Sequence, residues 1–138
     1  MSVALLPHPS RQESATSFTG NIAAWRALRN YMGVVAPEMH GRICVPWREP
    51  SGFFDDEREI PDTYEPENDE SRLSSWGMND GLGLNIDDCK TLAEAITADL
   101  DHGRTALRFN DDSEGKWMVA YITEFRDFLQ KCGGFRIF

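Results

Sequence analysis

The chain has 138 residues, 41% of them hydrophobic and 11% aromatic, and a net charge of −9. That suffices for one core in a single domain and is too apolar for wholesale disorder. A surface of this sign repels phosphate backbones, which argues against direct nucleic-acid binding, and no apolar run approaches the ~18 residues needed to cross a bilayer.

Residues 1–17 read as a flexible N-terminal arm. Pro7 and Pro9 break the one short apolar run, Val3 to Leu6, which could add an edge strand or stay loose. The run is too short for a secretory signal, and the scattered cysteines (Cys44, Cys89 and Cys132) have no CxxC spacing. Isolated thiols fit a reducing compartment better than a disulfide framework, so a soluble cytoplasmic protein is expected.

The first helix is expected from Asn21 to Met32, with Thr19 or Asn21 as cap. Phe18, Ile22, Trp25, Leu28 and Met32 recur at spacings of three and four and line one face, Trp25 as core. Gly33 supplies a left-handed stop. Arg42 to Val45 is a short strand that Pro46 ends or confines to a sheet edge.

Residues 48–72 form an acidic loop. Within it, residues 55–70 (DDEREIPDTYEPENDE) hold nine acids and one base, which is −8 of the total −9. Pro61 and Pro66 break any helix there, and like charges at this density hold a chain open. Phe53, Phe54, Ile60 and Tyr64 are candidate anchors to the body, and Trp47 and Trp76 flank the stretch.

Ser74 to Met78 is expected to be extended around Trp76, Asn79-Asp80-Gly81 to turn, and Gly83 to add a second bend. Asn85 then caps a helix with Asp87 and Asp88 in its first turn, where carboxylates favour the helix dipole. Cys89, Leu92, Ala93, Ile96 and Leu100 make its apolar stripe, with Lys90, Glu94, Asp99 and Asp101 off it. His102 lies in the last turn and Gly103 ends the helix. Arg104 to Phe109 is expected as a strand and Asn110 to Gly115 as a polar turn. The last helix should run from Lys116 to Cys132, because Met118, Tyr121, Ile122, Phe125, Phe128, Leu129 and Cys132 stay in phase; a strand over 117–122 is the alternative. Gly133-Gly134 stops it, and Phe135 to Phe138 alternates as a final strand. The sum is an α+β domain of about three helices packed on one face of a small, mostly antiparallel sheet.

No chemistry-bearing constellation stands out. Gly81-Leu82-Gly83 lacks the third glycine of a dinucleotide loop, since residue 86 is Ile86. Asn110 to Gly115 has oxygen ligands without calcium-loop spacing. His8, His40 and His102 are far apart, with no zinc spacing. Cys89 and Cys132 fall on buried stripes and read as packing. No catalytic residue, cofactor or metal ligand is therefore assigned.

The stretches SWGMNDGLGLNIDDCKTLAEAI and EFRDFLQKCGGFRIF, roughly residues 75–102 and 122–138, resemble a group of small bacterial and phage proteins of unassigned function. The resemblance implies a shared fold and a bacterial or prophage source. Members with cysteine pairs between the two helices suggest zinc. Here that interval reads RTALRFNDDSEGKWMVAY, without cysteine, and the metal role does not carry over.

The expectation is a non-enzymatic interaction module. Asp55, Asp56, Glu57, Glu59, Asp62, Tyr64, Glu65 and Glu67 would meet a basic protein partner, in one form by standing in for nucleic-acid phosphates. A small enzyme assembled from distant residues, such as His40 or His102 with Cys44, and a homo-oligomeric structural protein are the alternatives.

Overall fold

A computed structural model describes residues 2–39, 42–44, 46–47 and 82–138. The architecture is α+β. Strands β1 (Ser2–Pro7), β2 (Phe18–Asn21), β3 (Gly83–Leu84) and β4 (Phe135–Ile137) form an antiparallel sheet in the order β2-β1-β4-β3. Helices α1 (Ile22–Val35), α2 (Ile86–Asp101) and α4 (Ser113–Lys131) supply most of the remaining core, and a single turn, α3 (Arg104–Leu107), joins α2 to α4. A 3₁₀ turn, Pro9–Arg11, follows β1.

The N-terminal arm is not an edge. β1 lies in the sheet interior, paired with β2 on one side and β4 on the other. Its alternation explains this: Val3 and Leu5 are buried while Ser2 is exposed and Ala4 and Leu6 are half-buried. Backbone bonds between Ala4 and Phe138, 2.7 and 2.8 Å, extend the β1–β4 ladder. Leu5, Leu84, Phe135 and Ile137 meet Leu28, Met32, Cys89, Leu92, Ile96, Ile122 and Phe125 in one apolar cluster.

Asn21 caps α1 by accepting from the Ala24 N–H at 2.8 Å. Phe18 belongs to β2 rather than the helix, and stacks its ring among Tyr121, Phe125 and Phe128 of α4. Gly33 does not stop the helix, which runs on to Val35 and closes through the Ala36 N–H on the Met32 carbonyl. The ~1 kcal/mol that glycine costs in a helix is outweighed because Met32 and Ala36 on either side are fully buried.

Gly83 is not a bend. It pairs with Arg136 of β4, and a Cβ on it would lie 1.8 Å from the Phe135 carbonyl oxygen. Glycine is needed here for close approach of two backbones. Asn85 caps α2 through the Asp88 N–H at 2.8 Å, and Gly103, with φ 68°, ends it.

Arg104 to Phe109 forms a helical turn, not a strand, and the reason is Asp99. Its carboxylate accepts from the Thr105 hydroxyl at 2.7 Å, from Arg108 Nη2 at 2.7 Å and from the Tyr31 hydroxyl at 2.8 Å. Residues three apart share a face in a helical turn but take opposite faces in a strand, so only the turn brings Thr105 and Arg108 to one acceptor. Asp99, placed off the apolar stripe by its residue type, is in fact 5% exposed and joins α1, α2 and α3. The same turn leaves Leu107 85% exposed. The last helix starts at Ser113, earlier than Lys116, because Asp112 accepts from the Gly115 N–H at 2.8 Å. It is helical throughout 117–122. The Gly133-Gly134 turn, with φ 68° and 106°, leads into β4.

Two stability predictions follow from these contacts. Gly83→Ala should lose at least ~2 kcal/mol in urea unfolding, since the methyl collides with backbone that cannot yield. Burial pushes the Asp99 carboxyl up, but the hydrogen bonds from Arg108, Thr105 and Tyr31 and the guanidinium charge outweigh it and hold it at about 2. With a folded pKa below the unfolded ~3.9, its contribution of roughly 2 kcal/mol is present above about pH 4 and lost as pH falls toward 2. Urea midpoints measured from pH 7 down to pH 2 should show that loss in the native chain, and Asp99→Asn should be weaker at pH 7 with a flatter acid limb.

Candidate functional site

The expected partner-binding residues Asp55, Asp56, Glu57, Glu59, Asp62, Tyr64, Glu65 and Glu67 lie outside the described residues, as do the acidic loop 48–72, His40, Trp76 and the Asn79-Asp80-Gly81 turn. What the structure does describe is where that stretch is rooted. The chain leaves the sheet at Cys44 and re-enters at Gly83, and these two residues form an antiparallel bridge. The Cys44 N–H donates to the Gly83 carbonyl at 2.9 Å, and the Gly83 N–H donates to the Cys44 carbonyl at 3.0 Å. The expected strand at Arg42 to Val45 is thus an edge bridge at Ile43 and Cys44, beyond β3.

Trp47 continues from this root onto the sheet. Arg136 of β4 lies beneath it, with its guanidinium carbon 4.8 Å from the indole centroid, and Arg136 Nη2 donates to the Trp47 carbonyl. His8 meets the same indole edge-on at 5.1 Å. Alternation along β4 sends Phe135 and Ile137 to the helices and Arg136 to the opposite face, where it is only 2% exposed. A guanidinium stacked on an indole gains from the ring's quadrupole, more so when desolvated. Trp47 therefore fixes the first turn of chain beyond the bridge against the sheet.

Three arginines of the body, one of them beside this root, pair with its own carboxylates. Arg42 pairs with Asp88 at 3.2 Å, at the first turn of α2. Burial pushes the Asp88 carboxyl up, Arg42 opposing, and its Oδ2 has no hydrogen-bond partner among the described residues. Arg108 is held by Asp99 and Arg126 by Asp127 at 2.8 Å.

Two other features escaped the sequence reading. A groove of about 580 Å³ opens between the starts of α1 and α4, lined by Asn21, Ala24, Ala27, Asn110, Trp117 and Met118. Trp117 is 54% exposed and stacks on Tyr121 at 5.0 Å, whose hydroxyl burial and then Glu124 push up to about 12. The helical phase gave Trp117 no place on the buried stripe, which was the only available signal. The second feature is a meeting of thiols. Cys44, Cys89 and Cys132 are all buried, and the sulfurs of Cys89 and Cys132 lie 3.8 Å apart.

His102 and Cys44 do not meet. Cys44 sits before the start of α2, and His102 caps its far end, about 24 Å along a helix of this length. The His102 imidazole is turned to the Ala98 carbonyl at 2.6 Å. Among the described residues no three His, Cys, Asp or Glu side chains converge as a metal site, and no helix is long and apolar enough to cross a membrane. No protein-family model, curated protein or solved structure matches the chain.

Because Arg136 acts through its planar face as well as its charge, Arg136→Lys should cost about 1–2 kcal/mol in urea unfolding although the charge is kept.

Proposed function

We propose that this chain is a non-enzymatic binding protein whose acidic stretch, residues 55–70, engages a basic protein partner. The observation that carries the reading is the charge distribution: −8 of −9 lies in that stretch, and the rest of the chain is close to neutral. The body's Arg42, Arg108 and Arg126 are committed to its own Asp88, Asp99 and Asp127. A concentrated negative charge on a nearly neutral body is the kind that speeds and selects association with a basic molecule.

The root geometry supports the same reading. The chain before and after the stretch is held at one sheet edge, by the Cys44–Gly83 bridge and by Trp47 on Arg136. Anchoring both ends removes part of the ordering cost that a free tail would bear on binding. Asp55, Asp56, Glu57, Glu59, Asp62, Glu65 and Glu67 supply the carboxylates, and Tyr64 an amphipathic ring of the kind enriched at interfaces. A partner that normally holds nucleic-acid phosphates would present suitable chemistry. The bacterial or prophage source implied by the resemblance, and a cytoplasmic location, accord with such a role.

The test is anisotropy of a labelled Lys/Arg-rich peptide titrated with the full chain and with a variant carrying Asn or Gln at all nine acids of residues 55–70. The native chain should bind at least tenfold more tightly than the variant at low salt. Its advantage should fade when ionic strength rises from about 0.05 to about 0.5 M, as screening shortens the reach of the charges. Equal binding by both proteins at low salt would remove the acidic stretch from the function.

A further inference from the structure

We propose that Cys89 and Cys132 are an oxidisable dithiol that closes to an intrachain disulfide on exposure to a peroxide, and that this is a modification site separate from the acidic stretch. The sulfurs are 3.8 Å apart in the core. Reaching the ~2.05 Å of an S–S bond takes less than about 2 Å of sulfur travel, within the scope of side-chain torsions. Cys89 lies in the first turn of α2, while Cys132 is the C-cap of α4, so the bond would join the start of one helix to the end of the other.

The surroundings differ between the two thiols. Cys132 lies beneath the Pro9–Arg11 turn, its carbonyl accepting from the His8 N–H at 2.9 Å. The exposed Arg11 packs across the next residue, where a Cβ on Gly133 would be 2.9 Å from Arg11 Cγ; both sulfurs are fully buried beneath, so a peroxide reaches them when the Pro9–Arg11 turn opens. The contact with Cys89 draws the Cys132 thiol down, burial opposes it, and the Gly134 backbone and the Arg11 charge add to the lowering. Burial and then Cys132 itself push the Cys89 thiol up. Cys132 Sγ donates to Cys89 Sγ and also lies 3.7 Å from the Leu129 carbonyl, so whichever thiol loses its proton first becomes the attacking sulfur and the other resolves.

The chemistry balances with one hydroperoxide. One of the pair, as thiolate, attacks the terminal peroxide oxygen, so an S–O bond forms and the O–O bond breaks. The departing hydroxide or alkoxide takes a proton and leaves as water or an alcohol. The second sulfur then attacks the sulfenic sulfur of the first; the S–S bond forms, the S–O bond breaks, and the hydroxyl leaves as water with the second thiol's proton. A thiol reductant reverses the reaction by exchange, being oxidised to its own disulfide.

The experiment exposes the native full chain to a modest excess of hydrogen peroxide, then titrates thiols in denaturant and maps peptides without reduction. Of the three thiols, two should disappear and return with a thiol reductant, and the Cys89 and Cys132 peptides should be found linked within one chain. The oxidised chain should melt several degrees higher, because the bond constrains the unfolded state. Cys44→Ser should still lose two thiols, whereas Cys89→Ser and Cys132→Ser should each stop at a sulfenic acid on the remaining member of the pair, which dimedone traps. Three surviving thiols, a link through Cys44, or a link between chains would overturn the proposal. The native-chain peptide map decides the matter even if a cysteine variant fails to fold.

Discussion

The antiparallel ladder between β1 and β4 is the contact on which the rest of the molecule depends. It joins residues 2–7 to residues 135–137 and sets the inward rows of Val3, Leu5, Phe135 and Ile137 on which the helices settle. β4 also receives β3, so the strand that completes the core also sets the edge to which Cys44 bridges. Contacts of such separation bear the full entropic cost of chain closure before they return any stabilisation. Local structure has to hold its shape until then, which is where the caps at Asn21, Asn85 and Asp112 contribute.

Within the helical layer a single carboxylate does the equivalent work. Asp99 gathers a tyrosine from α1, a threonine from α3 and the arginine that follows it. A buried charge is tolerated only when its lone pairs are satisfied and an opposite charge is near, and Asp99 has both. The result is that α3, too short to be stable by itself, has a defined place.

Much of this was legible from residues alone where the signal was local. Asn85 followed by two acids and a clean stripe gave the cap and face of α2, and Gly133-Gly134 before an alternating tail gave the turn into β4. The failures were of a different kind. The β1 run is short and hemmed by prolines, and nothing local says it has two neighbours. Gly33 looked like a stop because propensity was visible and the packing of Met32 and Ala36 was not. Arg104 to Phe109 was misread because its conformation is dictated by Asp99, an acid whose burial no residue type announces. For the candidate site, the charge of residues 55–70 was plain in the sequence, and the bridged root beneath it was not. The thiols of Cys89 and Cys132 were each read correctly as buried, but their encounter spans two helices and left no mark on spacing.

The Cys44–Gly83 bridge brings together two points far apart in sequence and holds them with two backbone hydrogen bonds. The entropy of closing a chain between such points rises only with the logarithm of its length, about 0.6 kcal/mol for each doubling. The entropic cost of this clasp is therefore set mainly by its being closed at all, and only weakly by the number of residues it spans.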